Sequence, residues 1–198
     1  MRPKMESERI YKAALPFFAR YGYKKTTLED IARSLDMSNT NIYSYAKSKK
    51  DLYEGCINYA IEQWEHYVKS NTEAVDDPTA KLLLTFRFAV GYIIGNDDMM
   101  ALLKNDPSIF PMVPTIDPLV EYNGWAVQYV KSILEEGIEK GVFRELNVDV
   151  ASTLLFGWYK YIIINSLGME SLDQELLDQT LYTMSSLLLN GLLTDHED

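Results

Sequence analysis

Apolar side chains recur every three to four positions along nearly the whole chain, and no stretch alternates with the two-residue period of a half-buried strand. The pattern predicts an all-α protein of about nine helices. Ile10, Ala14, Phe17, Phe18 and Tyr21 share one face of a first helix, which Gly22, free to adopt positive φ, brings to a stop. Pro16 lies inside that helix, where it forfeits a bond to the Lys12 carbonyl and predicts a kink. Thr27 and Asp30 have capping-box spacing, opening a short helix over 28–35 with Ile31 and Leu35 inward. Asp36 and Met37 make a tight connection, and Ser38 caps a third helix that runs to about Tyr45 with Ile42 facing the core. Ser48 with Asp51 opens a long fourth helix to about Ser70.

Downstream, Asp76-Asp77-Pro78 breaks the chain, and Pro78 suits the first turn of a helix over 79–95. A shorter helix follows over 97–104. Four of the seven prolines (Pro107, Pro111, Pro114 and Pro118) then force an irregular loop over 105–118, although that loop is rich in apolar residues. Helices over 119–140, 148–167 and 172–193 complete the chain, the first ending at Gly141 and the second at Gly168.

A chain of 198 residues is long enough to bury a core without staples, and its one cysteine, Cys56, forms neither an internal disulfide nor a thiolate zinc site. The N-terminal MRPKMESERI lacks the apolar stretch of a secretory leader. The longest charge-free run, Gln179 to Thr194, is 16 residues and includes Ser, Thr, Asn and Gln, short of the roughly 20 apolar residues a membrane span needs. These features predict a cytoplasmic protein with no membrane partner.

Charge changes the picture more. Residues 1–53 carry 11 Lys+Arg against 6 Asp+Glu, net +5, whereas residues 54–198 carry 8 against 23, net -15, which together give the formal -10. A basic head on an acidic body fits a polyanion-binding module whose body that polyanion repels. The helix, turn and helix over 28–45 have helix-turn-helix spacing, in which the second helix enters a major groove with polar residues outward and an apolar back. Ser38, Asn39, Thr40, Asn41 and Ser44 supply the polar side and Ile42 the apolar one.

The stretch ERIYKAALPFFARYGYKKTTLEDIARSLDMSNTNIYSYAKSKKDLYEGCI resembles the N-terminal domain of the TetR family of transcriptional regulators. The likeness rests on AALPFFARYGY, TTLEDIA, the MS turn, IYSY and KSKKDLY. It implies a three-helix DNA-binding domain over 1–53, joined by the long fourth helix to a helical-bundle domain over 54–198 for ligand binding and dimerisation. Base contacts then fall on Asn39, Thr40, Asn41 and Ser44, with Tyr43 reaching backbone or base, and phosphate contacts on Thr27, Tyr45 and Lys49. The sequence departs from the family where Ala46 replaces a larger apolar residue and Tyr45 a common His. Tyr45 could instead fill the space that Ala46 leaves.

In the body, LLFGWYKYIII (154–164) and LYTMSSLLLNGLL (181–193) are apolar nearly all round, which predicts burial on both sides and a homodimer through the last two helices. The resemblance implies an effector pocket among the central helices, and the aromatics that could line it are Phe88, Tyr92, Phe110, Tyr122, Trp125, Tyr129 and Tyr159. Aromatic walls suit a hydrophobic or planar molecule, and Glu121 or Asp117 would attract a cation. The loop over 105–118 would gate it. Any of these aromatics could equally be core.

Catalytic constellations are missing: there is no Gly-rich phosphate loop, HExxH or GxSxG, and the only histidines are His66 and His196. No enzyme, cofactor or metal site is therefore expected. The reading is a DNA-binding transcriptional regulator, by default a repressor, released from a palindromic operator by a small effector. Its rival is a DNA-binding protein of the same fold that acts through a protein partner.

Overall fold

The computed structural model describes residues 4–109, 124–168 and 174–192. Among these residues there are nine α-helices and no strand: α1 Lys4–Lys25, α2 Leu28–Ser34, α3 Asn39–Ile42, α4 Lys49–Thr72, α5 Pro78–Ile94, α6 Asp97–Asn105, α7 Gly124–Glu139, α8 Val148–Leu167 and α9 Gln174–Leu192. A single 3-10 turn, Pro107–Ile109, follows α6. The expected loop over 105–118, the first residues of the helices placed at 119 and 172, and Leu193 lie partly or wholly outside the described residues.

Local chemistry sets most boundaries. Thr27, Ser38, Asn96 and Asn147 each cap a helix by accepting an amide proton from the third residue on. Asp77 does the same from Ala80 at 2.6 Å, ahead of the proline that starts α5. The expected kink at Pro16 is not where the first helix loses its backbone geometry. That break is at Gly22, with φ 72° and ψ 167°, while Pro16 sits on the exposed face. Gly141 ends α7 at φ 68°, and Val142 N–H reaches back to the Gly137 carbonyl at 2.9 Å.

By packing, the chain forms two compact units. The first groups residues 4–64 with 95–109; the second groups 65–94 with 124–192. α4 therefore contributes Lys49–Trp64 to one and Glu65–Thr72 to the other. In the first unit α6 packs along α1, and the core combines Ile10, Ala14 and Phe18 with Leu52, Ile57, Met99 and Leu102. α4 approaches α1 closely at Gly55, where any side chain would run into the Tyr11 ring.

In the second unit α5 packs on α7, α8 and α9, and α7 on α8. Val90, Ile133, Leu134, Phe143 and Tyr159 are buried there. Arg144 ties down the end of α9, donating its amide to the Leu192 carbonyl at 2.9 Å and Nε to that of Gly191 at 2.6 Å. Phe143 fits because Gly137 has no side chain: a Cβ there would lie 2.0 Å from the ring. Gly137→Ala should thus lower unfolding stability by about 1–3 kcal/mol in urea titration. An unchanged midpoint would mean that the ring relaxes freely.

Candidate nucleic-acid interface

The turn between α2 and α3 fixes how α3 is presented. Asp36 sits in the left-handed region at φ 52°, its amide bonding the Arg33 carbonyl at 3.2 Å while Met37 N–H bonds that of Ala32 at 2.9 Å. These two bonds form a Schellman motif, with an aspartate where glycine is usual. The strained conformation costs roughly 1–2 kcal/mol, which the surrounding packing offsets. The outcome is a sharp, well-defined reversal into α3.

α3 is shorter than expected: α-helical geometry ends at Ile42 rather than near Tyr45. Ser44 and Tyr45 instead donate to carbonyls three residues back, on Asn41 at 3.1 Å and Ile42 at 2.9 Å. The Ser44 hydroxyl also bonds the Asn41 carbonyl at 2.5 Å, competing with helix propagation. The cap from Ser38 to Asn41 N–H, at 3.3 Å, holds the other end.

Around this short element the polar and apolar sides separate cleanly. Ile42 has no exposed surface and Ala46 only 3%, whereas Thr40, Asn41, Tyr43 and Ser44 are all exposed. Tyr43, at 55%, stands furthest into solvent of the aromatic pair, and Tyr45 is half-buried. The side chain of Asn39 lies outside what is described. Thr27 is exposed, but its hydroxyl donates to the Asp30 carboxylate at 2.5 Å, so it does not present a free donor. Lys49, half-buried, is tethered to its neighbours: Nζ donates to the Lys24 carbonyl at 3.3 Å and lies 4.6 Å from the Tyr23 ring centre.

The sequence reading missed the neighbours of Lys49, because the contact of Tyr23 and Lys24 with it joins residues some 25 positions apart. It also missed a shallow cleft between α1 and α2, lined by Phe17, Tyr21, Lys25, Arg33 and neighbours, with a volume of about 460 Å³.

The body aromatics divide into separate groups in the second unit. Phe88 and Tyr92 both meet Tyr67, at ring-centre distances of 6.0 and 5.0 Å. Trp125 stacks on Tyr129 at 4.9 Å, and the Tyr129 hydroxyl shares a 2.7 Å hydrogen bond with Thr72. Tyr159 is a core residue, 2% exposed, whose hydroxyl donates to the Ala89 carbonyl at 3.3 Å. Phe110, Tyr122, Asp117, Glu121 and most of the expected gate lie outside the described residues, as does His196. Among the described residues no group of His, Cys, Asp and Glu is placed to hold a metal, and no helix is long and apolar enough to cross a membrane.

α8 and α9 leave apolar surface open. Val150, Leu154, Trp158 and Tyr161 recur at helical spacing on one side of α8 and are 44–61% exposed, while Tyr182 and Leu187 on α9 are 77% and 62% exposed. Trp158, Tyr161, Ile162, Met184 and Leu187 border a groove of about 460 Å³ with Thr180 and Thr183.

Residues 10–56 match the sequence family described as bacterial regulatory proteins, tetR family. The chain is 23% identical over 182 residues to the transposon Tn10 TetC protein of Escherichia coli, covering 87% of this chain and 85% of that one. Among solved structures it is similar to FadR of Bacillus subtilis in complex with stearoyl-CoA, with TM-score 0.73, 20% identity and coverage of 95% and 99%. It is also similar to AibR in complex with isovaleryl coenzyme A and operator DNA, with TM-score 0.67, 17% identity and coverage of 93% and 98%.

The candidate interface separates buried support from exposed side chains. Ile42→Ala should cost about 2–5 kcal/mol of stability, while Asn41→Ala and Thr40→Ala stay within about 0.5 kcal/mol of the parent. Calorimetric midpoints check this, and equal losses at all three would contradict the division.

Proposed function

We propose that this chain, which belongs to the TetR family of transcriptional regulators, binds duplex DNA through α3 and represses transcription by occupying its operator. The observation that carries this reading is the exposed polar face of α3, locked in place by a Ser38 cap and a fully buried Ile42. Thr40, Asn41 and Ser44 supply hydrogen-bonding groups for base edges, together with Asn39, and Tyr43 reaches base or backbone. Thr27, Tyr45 and Lys49 lie on the side assigned to the phosphates, Thr27 and Lys49 each beside a helix start, and Thr27 reaches a phosphate only by releasing Asp30. The basic balance of residues 1–53 favours that encounter, and the acidic remainder keeps the rest of the chain off the polyanion.

In this account residues 1–53 read DNA and 54–198 bind ligand and dimerise, in the cytoplasm. The open stripe on α8 and the apolar side of α9 favour a homodimer, because a contiguous apolar patch of this kind is costly in water. Two-fold symmetry would present two α3 helices to a palindromic operator. The aromatics around Tyr67 and the Trp125–Tyr129 stack are the described surfaces that suit a hydrophobic or planar effector, and FadR of Bacillus subtilis was solved with stearoyl-CoA. α4 is one continuous helix with residues in both units, so a ligand that shifts its C-terminal turns in the second unit alters the presentation of the reading head. Coupling of this sort is typically about 1–3 kcal/mol.

Anisotropy titration against DNA flanking the chain's own gene, at two salt concentrations, tests the reading. Specific binding should appear, Asn41→Ala should relax sequence preference by about 1–3 kcal/mol at one position, and Lys49→Ala should weaken binding to all sequences. Binding with no sequence preference, or indifferent to both substitutions, would contradict it.

The dimer has its own test. Leu154→Glu with Tyr161→Glu should convert the protein to a monomer in sedimentation while leaving its helical content intact. A parent that is already monomeric would instead favour a protein partner on this apolar face.

A further inference from the structure

Lys49 is not the end of a lone flexible stem. Its ammonium rests over Tyr23, 4.6 Å from the ring centre; Tyr23 in turn packs on Tyr53 with centres 5.1 Å apart. Tyr53 is only 9% exposed, is held edge-on by Phe18 at 5.0 Å, and donates its hydroxyl to the Asp106 carboxylate at 2.6 Å. Asp106 ends α6 and is itself fixed by accepting the Ser108 amide at 3.2 Å. One residue earlier, Asn105 donates to the Ala19 carbonyl of α1 at 2.6 Å. A continuous line of contacts therefore runs from the C-terminal end of α6 to a lysine at the first turn of α4, all within the first compact unit.

The local chain geometry supports this line. The break at Gly22 swings Tyr23 and Lys24 out of the α1 axis, and Thr26 locks the turn by bonding the carbonyls of Phe17 at 3.0 Å and Gly22 at 2.9 Å. Burial and the Asp106 carboxylate push the Tyr53 hydroxyl well above the ordinary tyrosine range, so it stays a donor throughout the physiological range. Asp51, the acid nearest in sequence to Lys49, already accepts the Lys47 amide at 2.7 Å. The ring of Tyr23 and the Lys24 carbonyl are thus the groups that aim the Lys49 ammonium.

We propose that Tyr23 is the positioning residue for Lys49 on the DNA backbone, and that α6, through the Asp106–Tyr53 bond, holds Tyr23 in place. The seating of α6 on the reading head then sets how firmly the protein grips phosphate. This rests on Lys49 being a phosphate contact, as proposed above. A long side chain pre-aimed by an aromatic face loses less freedom on meeting a phosphate than one that must first be immobilised. The consequence is specific to backbone grip, independent of sequence, and carried by one charge.

The full-length protein titrated against a short fluorescent duplex of arbitrary sequence, over a series of salt concentrations, tests the proposal without knowledge of the operator. Lys49→Ala should lower the slope of log affinity against log salt by about 0.9, and cost about eightfold at about 0.1 M salt, for each reading head that engages the duplex. Tyr23→Leu and Tyr53→Phe should each weaken binding at least about threefold in the Lys49 parent. In the Lys49→Ala background the same two changes should have no further effect. Tyr53→Phe keeps the ring and removes only the bond to Asp106, so its outcome stands even where Tyr23→Leu unfolds the head. Equal losses in both backgrounds would show a purely structural role and overturn the proposal, as would full affinity in both tyrosine variants. If Lys49→Ala itself leaves slope and affinity unchanged, it is the phosphate assignment that fails, and the positioning role falls with it.

Discussion

A helix of four residues closes too few internal hydrogen bonds to persist in water, so α3 exists because Ile42 is withdrawn completely from solvent. Burying that side chain is worth about 1.5–3 kcal/mol, which offsets the ordering of only one or two residues at about 1–2 kcal/mol each, so the caps and the neighbouring packing supply the rest. The other features of the head serve the same placement. Asp36 accepts a left-handed conformation so that the chain can reverse, Ser38 satisfies an amide at the start, and Ala46 lets the following turn fold back on the core. What remains outward is polar by elimination. The surface proposed for base edges is the exposed remainder of a packing solution.

The second constraint is that the head is not built from consecutive sequence. α6, some fifty residues beyond the end of the basic block, packs along α1 and bonds it through Asn105. This placement brings Asp106 to Tyr53. Coupling through such contacts requires no large rearrangement, since a hydrogen bond and two ring contacts have few alternative arrangements of similar energy. The surface of α8 and α9 obeys a different rule: its exposed tryptophan, tyrosines and leucines are costly to leave in water, which favours a partner that covers them.

Much of this was legible from residue spacing, and the reasons are local. The caps at Thr27 and Ser38, the stop at Gly22 and the inward Ile42 follow from chemistry within four residues. The shortening of α3 was not legible, because it depends on the Ser44 hydroxyl choosing the Asn41 carbonyl, a competition that period-based reading does not weigh. Within α1 the loss of helical φ/ψ lies at Gly22, six residues beyond Pro16, where the chain takes positive φ. The assignment of α6 to the head, the tether of Lys49 and the core role of Tyr159 all rest on contacts between residues distant in sequence, which no local pattern reports.

The most direct measurement of the central claim is amide hydrogen exchange of the full-length protein with and without duplex DNA at low salt. If α3 and its flanks are the DNA-facing surface, slowed exchange should concentrate in residues 24–27 and 38–50, with the amides of α8 and α9 unaffected. Protection confined to the acidic body, or spread evenly over the chain while residues 38–50 exchange as before, would contradict the account.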